Sequence, residues 1–204
     1  MAILESPSVV RRVSRAFSRI GDKSARDCIL RQIPMNSVGA ELGVYKGDFS
    51  EQILARAPKK LHLVDPWKFE PDPAYTASWY GGSVGESQVR MDIIHKSVID
   101  RFRSEIRSGI VEVHRNSSAG SCSQFPDNYF DWIYIDGNHQ YEYVKQDLDM
   151  YLPKVKPSGL VAGDDYGVPG WWQDGVTKAV DEAIATDRFE KLAIEHNQFL
   201  LRKI

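Results

Sequence analysis

The chain carries only two cysteines in 204 residues, Cys28 and Cys122, far apart and in no paired motif. That sets aside a disulfide framework or a cysteine zinc site, and free thiols in a reducing cytoplasm are expected. No run approaches the roughly 20 consecutive apolar residues of a membrane helix. The opening "MAILESPSVVRRVSRAF" also lacks the unbroken apolar stretch of a signal peptide. A cytoplasmic protein without membrane contact is therefore expected. Charge of one sign is scarce as well: the formal net charge is −2, with no long run of either sign. This argues against nucleic acid or an anionic membrane surface as a partner. Internal repeats, low-complexity segments and a G-x-G-x-x-G dinucleotide fingerprint are all missing.

What is present suffices for one core, since 42% of the residues are hydrophobic, and a single domain over 1–204 is expected. Ser6-Pro7 reads as a helix start, followed by Val9, Val10, Val13, Phe17 and Ile20 at helical spacing and stopped by Gly21. A second short helix is expected at about 24–32. The N-terminal helices, within 1–36, offer a surface for a homodimer. Five short apolar runs follow: "SVGAELG", "KLHLVD", "GIVEVHRN", "FDWIYID" and "GLVAGDD". Helical patterns separate most of them, at 49–55, at 89–106 (with Val89, Ile93, Phe102 and Ile106 on one side), and through Val144, Leu148 and Leu152. Val176, Val180, Ala183 and Ile184 give one more. Alternating strand and helix means a parallel sheet with right-handed crossovers. "KLAIEHNQFLLRKI" carries a hairpin signal, so an antiparallel strand pair should close the sheet. The expected fold is α/β, a Rossmann-like, doubly wound, mostly parallel seven-stranded sheet. Its core covers 38–65 and 109–204, with a cap insertion and helix at 66–108. The insertion is rich in aromatics (Trp67, Phe69, Tyr75, Trp79, Tyr80), which suit either a sheet-edge cover or a substrate cap.

"AELGVYKGDFS" follows the first strand and opens a helix. Gly43 and Gly47 permit a tight turn and close backbone approach to a ligand. Glu41 at the strand tip would repel a pyrophosphate and suit a cationic ligand, an amine or a sulfonium. Asp65, ending the second strand, is placed to accept ribose hydroxyls or to cap a turn. Together these residues describe a nucleoside site without a pyrophosphate.

The run resembles the class I S-adenosylmethionine-dependent methyltransferases, whose first motif is an acidic residue followed by glycines of G-x-x-x-G kind. "LPKVKPSGLV" is similar to the family's "LKPGG" turn before the fifth strand, with Ser158 in place of the first glycine. The resemblance runs from about Val38 to the C-terminus. It implies S-adenosylmethionine as cofactor, with Glu41 near the methionine amino group, Gly43 and Gly47 in the turn, and Asp65 on the ribose. It also implies Asn116 and Ser117 near adenine, and Asp136 among the cofactor-contacting positions.

Asp136 ends one expected strand, and Asp164 and Asp165 end the next. Parallel neighbours lie about 4.8 Å apart, so three carboxylates converge and need protons or a cation. An all-oxygen set suits Mg²⁺ or another hard divalent ion; the alternative is that one aspartate caps a helix and the others are solvated. The layout resembles catechol O-methyltransferase and the metal-dependent O-methyltransferases acting on sugars of macrolide and aminocoumarin antibiotics. That resemblance implies Mg²⁺ at Asp136, Asp164 and Asp165, holding a hydroxyl of a small-molecule acceptor, sugar or phenol.

Catechol-type enzymes place a lysine three residues after the metal aspartate, where this chain has His139. A neutral imidazole there would serve as general base, or would only cap the helix. Tyr141 and Tyr143 read as packing residues. His62 and His114 in strands, His95 in a helix and His196 in the hairpin read as structural. "GVPGWW" after the aspartate pair suits a water-excluding lid or a subunit contact. The leading function is metal-assisted O-methyl transfer, with Asp136 and His139 as catalytic residues. A non-catalytic S-adenosylmethionine- or metal-binding domain and an NAD(P)-dependent oxidoreductase are the alternatives.

Overall fold

Seven apolar runs form strands: β1 (Val38–Leu42), β2 (Lys60–Asp65), β3 (Val111–Arg115), β4 (Phe130–Ile135), β5 (Val155–Gly163), β6 (Phe189–Glu195) and β7 (Gln198–Lys203). In the computed structural model, which describes residues 25–204, they make one sheet of order β3-β2-β1-β4-β5-β7-β6. Every pairing among β1 to β5 is parallel, and β7 runs antiparallel to both β5 and β6. The β6–β7 hairpin turns on His196 and Asn197, both at positive φ (52° and 64°), which matches the right-handed twist of the flanking strands. This is the expected Rossmann-like sheet. The N-terminal helix expected at 6–21 lies outside the described residues.

Helices cover both faces, and strand alternation decides which side chains each face receives. Trp132 and Tyr134 of β4 point to one face and Ile133 and Ile135 to the other. On the first face lie α1 (25–32), α2 (Asp48–Leu54) and α4 (Gln88–Arg101), which bring Ile29, Phe49, Ile53, Met91, Ile94 and Val98 against Leu61 and Leu63. On the second lie α6 (Ser118–Cys122), α7 (Tyr141–Tyr151) and α8 (Gly175–Ile184), with Val144, Leu148, Val176 and Val180 buried. Two short helices, α3 (Gly82–Gly85) and α5 (Arg103–Arg107), complete the connections. No helix among the described residues is long and apolar enough to cross a membrane.

Three local expectations are corrected. The single helix expected at 89–106 breaks at Phe102 into α4 and α5, and its buried stripe is Met91, Ile94 and Val98. Val89 and Ile93 are 67% and 55% exposed; i, i+4 spacing alone does not say which of two apolar stripes meets the sheet. The Pro-Ser-Gly turn expected before the fifth strand lies within β5 as an irregularity of its pairing with β4, with Ser158 at φ 61°. Tyr143, expected to pack, is exposed.

Candidate active site

Register puts the site on one line. Leu42 pairs with Val64 and with Ile135, Ile135 with Gly163, and Gly163 with Phe199. The next residue of each parallel strand then falls in a row across the sheet's C-terminal edge: Asp65, Gly43, Asp136 and Asp164. Gln198, one step back on the antiparallel β7, completes it. Backbone bonds continue the pleat past the strand ends: the Asp136 amide donates to the Leu42 carbonyl (2.7 Å), and the Asp164 amide to that of Ile135 (3.1 Å).

The three aspartates do converge, and two cationic side chains share them. The Arg26 guanidinium lies between Asp136 (Nη2 to Oδ2, 2.7 Å) and Asp164 (Nε to Oδ2, 3.0 Å). The His139 ring lies between Asp136 (Nε2 to Oδ1, 3.3 Å) and Asp165 (Nδ1 to Oδ2, 3.5 Å). Asp165 reaches it from the left-handed region, φ 61°, and its amide donates to Asp164 Oδ1 (2.8 Å). The Gln198 amide also donates to Asp164 Oδ1, and Gln198 Oε1 accepts from the Tyr134 hydroxyl (2.7 Å). Arg26, Tyr134 and Gln198 are the site residues that sequence reading passed over. Arg26 is one basic residue in a short helix, and only the tertiary fold brings it over the Phe49 ring (4.9 Å) and into the cluster.

Electrostatics follow from these contacts. Burial works against the charged form of Asp136, yet Arg26 and His139 outweigh it and hold its pKa below the ordinary value. Asp165 goes the other way: burial raises it, and the charges of Asp164 and Asp136 add to the rise. For His139, burial favours the neutral ring, but the hydrogen bond and charge of Asp136, with Asp165 and Asp164, raise its pKa above the usual imidazole value. Without a metal ion these carboxylates favour the imidazolium; the neutral His139 expected from the sequence is a ring beside a bound cation.

Arg26 is the cation that keeps this cluster together. Arg26→Ala is expected to lower the stability of the metal-free protein by about 3 kcal/mol, because partly buried charges lose their partner. Added Mg²⁺ should then raise the melting temperature of the variant more than that of the wild type. Thermal melts with and without Mg²⁺ check this; a variant as stable as wild type and indifferent to Mg²⁺ contradicts it.

The first glycine turn has a distinct internal logic. Gly43 takes φ 97°, and a Cβ built there would meet the Asp136 carbonyl oxygen at 1.9 Å, so only glycine lets β1 and β4 end side by side. Gly47, at φ 76°, precedes α2. Glu41 is buried behind this turn and accepts a hydrogen bond from Ser50 Oγ. Burial pushes its pKa up to about 8, against the opposing effects of Ser50 and Arg26.

Of the two roles expected of Asp65, turn capping is the one its contacts form. It is fully buried; Oδ2 accepts from the Val44 and Tyr45 amides (both 2.9 Å) and the Tyr80 hydroxyl, and Oδ1 from the Trp67 amide (2.6 Å). Its carboxylate organises the turn and the start of the insertion. Asn116 and Ser117 lie just past β3, beside Asp65, whose carbonyl accepts from the Asn116 amide (3.1 Å). Ser117 Oγ caps α6 through the Gly120 amide (3.0 Å), and Asn116 Oδ1 accepts from the Ser117 amide (2.9 Å). Both side chains serve the local turn.

The insertion and the loop after the aspartate pair meet beside this edge. The Tyr75 ring packs on Trp171 (5.0 Å) and its hydroxyl accepts from Asn138 Nδ2 (2.8 Å); Trp172 packs on His139 (4.7 Å). Trp67 turns inward and is buried in the core, with Nε1 donating to the Tyr45 carbonyl (2.8 Å). The insertion thus covers the sheet at Trp67, while Tyr75 reaches Asn138 and Trp171.

Residues 40–166 match the family model described as a methyltransferase domain. No curated protein matches the chain. Among solved structures it is similar to the O-methyltransferase TomG of Streptomyces achromogenes, in complex with S-adenosylmethionine. The TM-score is 0.62 at 13% identity, covering 100% of this chain and 93% of that one. An O-methyltransferase from Bacillus cereus, in complex with S-adenosylhomocysteine, gives 0.61 at 12% identity, covering 100% and 93%. The O-methyltransferase NovP gives 0.58 at 20% identity, covering 91% and 78%. A Rossmann-like sheet whose C-terminal edge carries an acidic residue, two glycines and an aspartate row therefore has a place: the chain belongs to the methyltransferase domain family, as a class I S-adenosylmethionine-dependent methyltransferase.

Proposed function

We propose that this enzyme transfers the methyl group of S-adenosylmethionine to a hydroxyl of a small molecule, a sugar or a phenol, with help from a divalent cation at Asp136, Asp164 and Asp165. The observation carrying the reading is the row Gly43, Asp136, Asp164 at one level of the sheet, with Glu41 behind it and His139 in front. The residues fit the cofactor: Glu41 is a buried acidic group with no direct ion pair among the described residues, suited to an ammonium group, beside a turn that only glycine can form. When bound, S-adenosylmethionine supplies a methyl group on sulfonium, open to in-line displacement by oxygen.

The oxygen donors also fit a hard divalent ion, provided Arg26 withdraws from Asp136 and Asp164. Such an ion would supply charge that lowers the pKa of the acceptor hydroxyl. Asp136 and Asp164 then orient the acceptor oxygen toward the methyl group. His139 takes the hydroxyl proton at whichever ring nitrogen faces it, and must be deprotonated to do so. Activity should therefore rise with pH as the His139 ring loses its proton, and His139→Ala should lose that limb. Tyr75, Trp171 and Trp172 would exclude water and stack on the acceptor ring. The role expected of Asp65 becomes indirect, through the turn. The cytoplasm fits the free thiols, and a homodimer belongs to the same proposal.

One observation favours a second reading, in which Arg26 is the built-in cation and no metal takes part. Transfer of labelled methyl from S-adenosylmethionine to glycosides and catechols, with Mg²⁺ and with chelator, separates the two. The proposal expects O-methyl product that disappears in chelator. Undiminished product in chelator overturns the metal and leaves Arg26 in its place.

A further inference from the structure

Away from the catalytic edge, β2 and the edge strand β3 bring two imidazoles and a carboxylate together. His62 of β2 pairs directly with Glu112 of β3, and Glu112 and His114 are two residues apart, so all three side chains leave the same face. Their donor atoms all lie within 4.8 Å of one another. His62 Nδ1 and His114 Nε2 are 2.9 Å apart, and the Glu112 oxygens stand 4.0 Å from the first and 3.8 Å from the second. Ligands at zinc distances in a tetrahedron stand about 3.3 Å apart. The imidazole pair is close to that already, and Glu112, half exposed, closes the remainder by rotation.

We propose that His62, Glu112 and His114 form a binding site for a transition-metal ion of Zn²⁺ type, with three protein ligands and a fourth position open to solvent. Two features make the imidazoles good ligands. First, His62 has its remote nitrogen held, with Nε2 3.1 Å from the Tyr129 hydroxyl. Such partners fix ring orientation and tautomer at metal sites. Second, both rings stay in the neutral, ligating form. Burial lowers both pKa values, and His114 helps bring that of His62 down to about 4. Phe125 packs on both rings (5.1 and 5.3 Å) and walls the site on its inner side.

Lys60 is the competitor, with Nζ 2.8 Å from Glu112 Oε2; an incoming ion must displace it. Mixed N/O ligation favours Zn²⁺ over Mg²⁺, which separates this site chemically from the all-oxygen aspartate cluster. The ion would tie the sheet's edge strand to its neighbour, two residues before Asn116.

The test is Zn²⁺ titration of the full chain against a chromophoric chelator, repeated with Co²⁺ for its visible absorption. Wild type and Asp136→Asn should each bind one equivalent here, with the intense Co²⁺ bands of a four-coordinate site. Glu112→Gln and His114→Asn should each bind about 100-fold more weakly or worse. Glu112 is exposed, so its variant serves if the His114 variant does not fold. Zn²⁺ affinity unchanged in Glu112→Gln, or lost in Asp136→Asn, overturns the assignment.

Discussion

Replacing Asp136 by asparagine should lower turnover about 1,000-fold or more while leaving S-adenosylhomocysteine binding nearly intact. The substitution keeps the shape of the side chain and removes only its charge, so lost packing is not the cause. Asp136 is the one aspartate joined to both cationic groups, Arg26 through Oδ2 and His139 through Oδ1. Without it, Arg26 remains on Asp164 alone and two carboxylates are left to hold a divalent ion. His139 also loses the partner that orients it and most strongly raises its pKa. The backbone at 136 still donates to Leu42, so the neighbouring glycine turn should survive. Steady-state rates beside calorimetric affinity check the split. Unchanged turnover contradicts the role, and equal losses of turnover and binding mean that Asp136 serves the cofactor instead.

Gly43→Ala should cost about 4 kcal/mol of stability, combining a left-handed conformation unfavourable for alanine with overpacking of the adjoining strand end. The added methyl would meet backbone, the Asp136 carbonyl, rather than the movable end of a side chain. Either β1 and β4 separate at their tips or the turn changes shape, and both outcomes disturb Glu41, Asp65 and Asp136 together. Cofactor binding should therefore fail even at temperatures where the variant is folded. Chemical denaturation and calorimetry measure the two effects. A variant within 1 kcal/mol of wild type that binds normally contradicts the packing described here.

The sheet was legible because its signals are local. Each strand is a short apolar run with helix or turn chemistry at its ends, and the His196-Asn197 hairpin announces itself by residue type. Convergence of Asp136, Asp164 and Asp165 was legible for the same reason, since residues after adjacent parallel strands must share an edge. What stayed hidden depends on tertiary placement. No local pattern says that Arg26 crosses from α1 to Asp136 and Asp164, or that Gln198 reaches Asp164 from an antiparallel strand. Asp65 was located correctly in the chain, but its saturation by three amides and Tyr80 arises from how the insertion folds back. His139 was found by spacing, whereas its charge state depends on two carboxylates 3.3 and 3.5 Å away.

The most direct test of the account is calorimetric titration with S-adenosylhomocysteine at pH 7, in buffers of different ionisation enthalpy, for wild type and Glu41→Gln. In the free protein Glu41 is protonated below about pH 8; an ammonium group beside it favours the carboxylate. One ligand should bind, release close to one proton, and bind more tightly as pH rises from 6 to 8. Glu41→Gln should bind at least tenfold more weakly and release none. Absence of binding, or equal affinity and equal buffer dependence in both proteins, contradicts the account.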